Sequence, residues 1–432
     1  MPTFTGLKID TEHNFTEELK MDNQAFEMED LIADFAKSGK ELNVLLLADD
    51  AHSTGCCSDH IRAIQKNSKH KVTVRNPRAK SRFDKLLGRP RIRLKNESGA
   101  DYDVVIIHYS ICILFENYFP RKLRESLRTF KGIKIQVIQD EYRWVNRMMS
   151  EMAYLGIDGI LSLVEKNKLN KVYNHPDLKD VVKVSSLAGY VSNEWIGRDT
   201  PPTESRSKNL IYRGNHLPAW LGHAAREKTT LADKALKNLG GQGLDLDISS
   251  DPNDRIYGDK WLSFMQSGKA VLGLEGGASI FDFDESAEKN TKKYLRDKPA
   301  TGYAEIHSKF LSSIEGNVIY RMLTPRSFEA ISMKTVQVMY PGEYSGILKA
   351  WKHYIPINRD FSNAKEICDL LRDDLFLQKM ADDTYEDIIE SGKFGEERLG
   401  LGMDSMIEYL KVQIRENSLV TGTTNLHGSI SN

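Results

Sequence analysis

Cysteine is scarce in this chain, with four in 432 residues: Cys56, Cys57, Cys112 and Cys368. Adjacent Cys56 and Cys57 make no disulfide framework, and no CxxC pair offers a zinc site. That usage suits a reducing compartment, so a cytoplasmic protein is expected. Long apolar runs are also missing, and none approaches the roughly 20 residues needed to span a bilayer. The first residues, MPTFTGLKIDTEHNF, carry neither a basic region nor an apolar segment, so no secretory signal is expected. There is no excess of one charge. Sixty Lys and Arg face 61 Asp and Glu, a net charge of −1. Bulk electrostatics therefore point away from nucleic acid as a partner. Several signatures are absent: GxGxxG, the P-loop GxxxxGK(S/T), HExxH, GxSxG and the kinase set. A Rossmann dinucleotide site and a P-loop NTPase are accordingly disfavoured.

What is present is a packed α/β pattern. Hydrophobic residues make up 40% and aromatics 9%, enough to exclude disorder. The length suits two α/β domains better than one core. Residues 1–40 are polar and acidic and read as an arm or a helix lying on the surface. Then apolar strand-like runs recur with helical or irregular stretches between them, at 42–48, 71–75, 103–109, 134–139, 159–164 and 181–186. LNVLLLA is apolar throughout, as a strand covered on both faces should be. A polar double-proline segment, 197–209, reads as a linker. A second series follows, with strands at 210–214, 244–249, 270–276, 318–322, 335–340 and 353–357 and helices between and after them. The alternation predicts two doubly wound, parallel α/β halves, 41–200 and 205–392, with an amphipathic closing helix in 393–432.

In such sheets ligands sit beyond the carboxyl ends of the strands. Three runs in the first half end in polar clusters: DDAHSTG with Asp49, Asp50 and His52; HYS with His108; and QDEYR with Asp140, Glu141 and Tyr142. Each has a plainer alternative. Asp50 can cap the next helix, and His108 can be a satisfied core histidine. In the second half, LIYRGN brings Arg213 and Gly214 to a strand end, with Lys228 on the following helix. Glycine there lets a ligand approach the backbone, and the helix start favours an anion. GLEGGAS ends another strand with Glu275 and Gly276. In TPRSFEAISMKTVQV, Pro325 suits a first helical turn and places Glu329 near the helix start, where a carboxylate can accept a ribose diol or merely steady its helix.

These residues resemble a family. TPRSFEAISMKTVQVMYPGEYSGILKAWKHYIPINRDFSN is similar to the donor-site segment of GT-B glycosyltransferases. YRGN with the following LP.WLG and EK is similar to the phosphate-binding start of the same domain. LGLEGGASIFDFDE and QDEYR resemble segments of bacterial surface-polysaccharide glycosyltransferases. The resemblance implies two Rossmann-like domains facing a cleft, an acceptor half and a nucleotide-sugar half, and a C-terminal helix crossing back. It implies that Glu329 binds the donor ribose, that Arg213 and Lys228 neutralise the diphosphate, and that Gly342, Glu343 and Tyr344 border the nucleotide or sugar, with Glu275 and Gly276 nearby. Where many retaining members carry a second glutamate, eight residues before Glu329, this chain has Arg321. Arg321 or Arg326 would then contact phosphate, and the stereochemical outcome stays open. If transfer inverts, Asp50, His52 and His108 are candidate bases, with Asp140 and Glu141 behind them.

The expected reaction is sugar transfer from a nucleotide-sugar, UDP- or GDP-linked, to a glycan or lipid-linked acceptor. No cofactor or metal is expected at the chemical step. DLD (245–247) and DFD (282–284) match a metal motif only in letters. A basic stretch, 61–95, reads as a solvated face or as peripheral contact with anionic lipid at the inner membrane face. Two alternatives remain: a sugar-nucleotide epimerase of the same architecture, and a non-catalytic scaffold that binds nucleotide-sugar or polymer.

Overall fold

The computed structural model describes residues 25–35, 39–51, 55–78, 92, 94–95 and 101–427. Two parallel sheets organise them. The first has seven strands in the order β1-β7-β6-β5-β4-β2-β3. These are β1 (Ala25–Glu27), β2 (Asn43–Leu47), β3 (Lys71–Arg75), β4 (Val104–Ile107), β5 (Ile133–Val137), β6 (Gly159–Ser162) and β7 (Val182–Ser185). Every neighbouring pair is parallel. Val44–Leu47 and Val104–Ile107 are wholly inaccessible, as the unbroken apolar runs predict for central strands covered on both faces. The chain reverses direction across the sheet between β2 and β4, which makes a crevice at their carboxyl ends.

The second sheet has five parallel strands, β14-β13-β10-β8-β9. They are β8 (Lys208–Arg213), β9 (Leu246–Ser249), β10 (Gly268–Gly273), β13 (Val336–Met339) and β14 (Ile355–Pro356). Its own reversal lies between β8 and β10. The strand expected at 270–276 divides: β10 stops at Gly273, and β11 (Gly276–Ala278) pairs antiparallel with β12 (Tyr320–Met322) as a separate ribbon. Gly277 permits this, because its φ of +115° and the nearby Tyr320 carbonyl leave no room for a Cβ.

The arm expected over 1–40 is corrected in its described part. Ala25–Glu27 pairs with β7, and the helix Met28–Phe35 buries Met28, Leu31 and Ile32. The period of those three residues, not the overall polarity, carries the packing signal. The helix Glu396–His427 returns to the first sheet. Its Leu399, Met403, Met406, Ile407 and Leu410 join the core of Val44, Leu46, Ile106 and Ile135. Burying such side chains is worth about 1.5–3 kcal/mol each.

The linker is docked rather than loose. Arg206 is buried and donates to the carbonyls of Pro201, Gly268 and Met333 and to the Thr335 hydroxyl, at 2.8–3.0 Å. Further contacts tie the halves together: Tyr142 accepts from the Asp282 N–H at 2.9 Å, Asn146 donates to the Phe283 carbonyl at 3.1 Å, and Arg143 pairs with Glu288. No described helix is long and apolar enough to cross a membrane.

Candidate functional site

A cleft of about 1030 Å³ separates the two sheets. One wall carries Glu27, Glu165, Lys168, Ser185 and Tyr190, and the other carries Glu275, Arg321, Glu343 and Phe394. A narrower recess adjoins it through Tyr190, where Asp59, His60 and Trp195 face Pro325, Glu329 and Glu396.

Glu329 reaches this recess because its helix, Pro325–Ser332, is short and sharply bounded. Pro325 starts it at N1. Lys334 ends it at φ +50°, with Lys334 N–H on the Ile331 carbonyl and Thr335 N–H on Ala330, the paired bonds of a Schellman stop. β13 therefore follows at once. Glu329 stands in the second helical turn, not the first, so the helix dipole gives it little. The Trp261 indole N–H holds it at 2.6 Å. Burial pushes its carboxyl up from the ordinary range, against the Trp261 bond and the Arg326 charge.

Arg326 is the centre of the cationic wall. It donates to the Arg213 carbonyl at 2.7 Å and lies over Trp261 and Tyr212, 5.0 and 5.9 Å from their ring centroids. Lys228 shares its environment. Burial and the Arg326 charge depress the Lys228 ammonium to about 8, opposed by Asp140 across the cleft. Arg326 thus stands between Lys228 on one side and Glu329 with Trp261 on the other, and the Tyr212 ring beneath it belongs to the core.

Other expected residues are placed differently. Arg213 pairs with Asp247 at 2.8 Å and donates to the carbonyls of Asp247 and Asp254, so its charge is spent on β9 and the following turn. Arg321 pairs with Glu227 at 3.1 Å and approaches Glu275 at 3.8 Å. Glu275 is buried and accepts the Tyr344 N–H at 2.8 Å. Gly342 makes room for it, since a Cβ there would touch the Glu275 carboxylate. Tyr344 is itself buried, whereas Glu343 is exposed on the cleft. Gly214 packs on the Tyr212 ring and Gly276 on the Thr324 methyl. The DFD carboxylates are helix caps: Asp282 accepts the N–H groups of Ala287 and Glu288, and Asp284 that of Ser286.

On the acceptor side, Glu141 departs from expectation. It lies in the core, bonded to Ser162, Tyr173 and the Leu163 N–H, and burial pushes its carboxyl up to about 7. Tyr142 donates to Asp140 at 2.8 Å at the cleft edge. Asp50 is exposed and accepts from Asn76 at 3.0 Å. His52 lies outside the described residues, as does 79–91 of the basic stretch.

His108 is wholly buried, so it cannot touch a substrate. Its Nδ1 accepts the Ser110 N–H at 3.1 Å, which leaves the proton on Nε2. Nε2 stands 3.0 Å from His60 Nδ1. His108 therefore donates to His60 and directs the His60 Nε2–H outward. Burial depresses His60 to about 4, so its ring is neutral at pH 7. Sequence reading missed His60 because it sits mid-helix, in Gly55–Asn67, rather than at a strand end.

No family model matches the sequence, and no curated protein aligns with it. Solved structures do. An α-glucosyltransferase in complex with UDP and a 13-mer DNA containing an HMU base superposes at a TM-score of 0.50, with 11% identity over 85% of this chain and 99% of that one. Two others are more distant: the T4 phage BGT in complex with UDP-glucose, TM-score 0.45, 11% identity, 85% and 97% covered; and TarM, TM-score 0.39, 12% identity, 68% and 53% covered. The chain has the GT-B glycosyltransferase fold. Glu329 lines the recess from the second half, with Arg326 three positions before it on the same helix.

Proposed function

We propose that this protein transfers a sugar from a nucleotide-sugar to an acceptor hydroxyl. The observation that carries the reading is the polarity of the recess. Glu329 enters it from the second half, backed by Arg326 and Trp261, and Asp59 and His60 face it from the first. Cleavage of the sugar–diphosphate bond develops negative charge on the leaving group. Lys228 and Arg326 are positioned to stabilise that charge without a metal. Glu329 is the group to accept the ribose hydroxyls, and half-buried Trp261 offers a surface on which a base or sugar can rest. Because Arg213 is engaged with Asp247, Arg326 takes the phosphate role in its place. His60, held by His108, can donate its Nε2–H to a substrate oxygen, and Asp59 beside it is the carboxylate available to take the acceptor's proton.

The α-glucosyltransferase named above holds UDP, which favours a uridine nucleotide as donor. It also holds DNA. Here the near-zero net charge gives no field for duplex phosphates, so a glycan or lipid-linked acceptor is the better match. A thermal-shift screen with UDP, GDP, CDP, ADP, CMP and their sugars tests the donor. One nucleotide should raise Tm in proportion to its affinity, and Glu329→Ala should lose that rise. If no nucleotide stabilises the well-folded protein, the transferase reading fails.

A further inference from the structure

A second polar cluster lies away from the cleft and takes no part in the proposed transfer. His223 opens the helix His223–Leu239. His307 follows the short helix Tyr303–Ile306, and Glu315 lies in the turn beyond. One donor atom from each of the three falls within 4.8 Å of the others. We propose that His223, His307 and Glu315 form a binding site for a divalent transition-metal ion, zinc being the best fit.

Four observations carry this. The ligand set is right: two imidazoles and a carboxylate suit zinc, with a water to complete the four positions. The spacing is right: ligand atoms around a tetrahedral ion at its ordinary bond lengths lie about 3.3 Å apart, and His307 Nε2 stands 3.3 Å from Glu315 Oε2. That same Nε2 is buried and makes no hydrogen bond, although a carboxylate oxygen is so near. A cation between the two atoms gives that nitrogen its partner. Lastly, the ligands are held. The His223 and His307 rings stack at 4.4 Å with 29° between their planes, and the Tyr303 hydroxyl lies 3.1 Å from His223 Nδ1. The Tyr303 hydroxyl can accept from His223 Nδ1–H, which leaves the Nε2 lone pair for the ion, as outer partners of metal-bound histidines commonly do. The Glu315 carboxylate also takes the His223 backbone N–H at 3.3 Å.

The position indicates a staple. Ser279, just past β11, accepts the Ala224 N–H through its hydroxyl and the Gly316 N–H through its carbonyl. The ion would lock the segment 303–316 to the start of the long helix at this end of the ribbon. Glu275 precedes the other end of β11, so the ion would act on rigidity and not on the reacting bond.

The test uses tag-free, full-length protein stripped with a chelator. Cobalt(II) titration should give one saturable set of visible bands of tetrahedral intensity, displaced by one equivalent of zinc. Zinc alone should raise Tm. His307→Ala and Glu315→Gln should each weaken cobalt affinity at least ~10-fold, and the double variant His223→Ala/His307→Ala should abolish it. Should the variants fail to fold, the wild type still answers: zinc should protect His223 and His307 from diethyl pyrocarbonate, read by mass spectrometry. Absence of saturable cobalt binding, equal binding by the double variant, or full labelling of both histidines under zinc would each overturn the proposal.

Discussion

Lys228 makes a sharp prediction about ligand binding. In the free protein burial and Arg326 hold its ammonium near 8, so it is mostly charged at pH 7 and mostly neutral at pH 9. A nucleoside diphosphate is mostly ionised at pH 7 and fully so at pH 9, which works against any loss of affinity. If the bound diphosphate requires charged Lys228, affinity should fall ~10-fold, or ~1.4 kcal/mol, between pH 7 and pH 9. Binding at pH 9 should also take up ~0.9 proton, as the ligand's charge restores the lysine's usual affinity for it. Isothermal titration with UDP in buffers of different ionisation enthalpy reads both quantities. Lys228→Arg keeps the charge at every pH and should bind with a flat profile. A flat profile in the wild type, or an unchanged slope in Lys228→Arg, would refute the reasoning. The sign for stability is opposite. A lysine depressed in the folded state leaves the unfolded chain with more protons between about 8 and the ordinary lysine range, so this residue destabilises least at high pH. Loss of affinity at pH 9 therefore cannot be ascribed to unfolding through Lys228.

Other expectations follow from single contacts. His60→Ala removes one neutral hydrogen bond to the reacting groups and should lower turnover ~10-fold while leaving UDP affinity unchanged, and His108→Ala should lower it less, since it only orients His60. Steady-state kinetics with a titration of UDP separates these, and an unaltered turnover in His60→Ala would remove the residue from the mechanism. Arg206→Met strips donors from three carbonyls and the Thr335 hydroxyl and should cost ~3–5 kcal/mol in chemical denaturation. Gly277→Ala drives a methyl group into the Tyr320 carbonyl at positive φ and should cost ~3 kcal/mol or more, measured the same way.

Much of this molecule follows from local pattern. Continuous apolar runs such as Val44–Leu47 can only be strands covered on both faces, so alternation with helices dictated two parallel sheets. Pro325 and the β-branched run after it marked the helix that carries Glu329, and its bounds match the pattern because Pro at N1 and a Schellman stop are local devices. What local pattern could not decide was partnership. Arg213 and Arg326 are alike as residues, yet Asp247 on the neighbouring strand engages one and leaves the other over Trp261 and Tyr212. His108 ends a strand, as an active residue might be expected to do, but the Gly55–Asn67 helix covers it and puts His60 in front. Glu141 points into the core beside Ser162 and Tyr173, residues more than 20 positions away. His223, His307 and Glu315 meet only because two turns fold over Ser279. Strands and helices arise from neighbours in the chain, and so the sequence alone determined them. Charge pairs, tautomers and ligand sets arise from neighbours in space, and only the tertiary structure decided those.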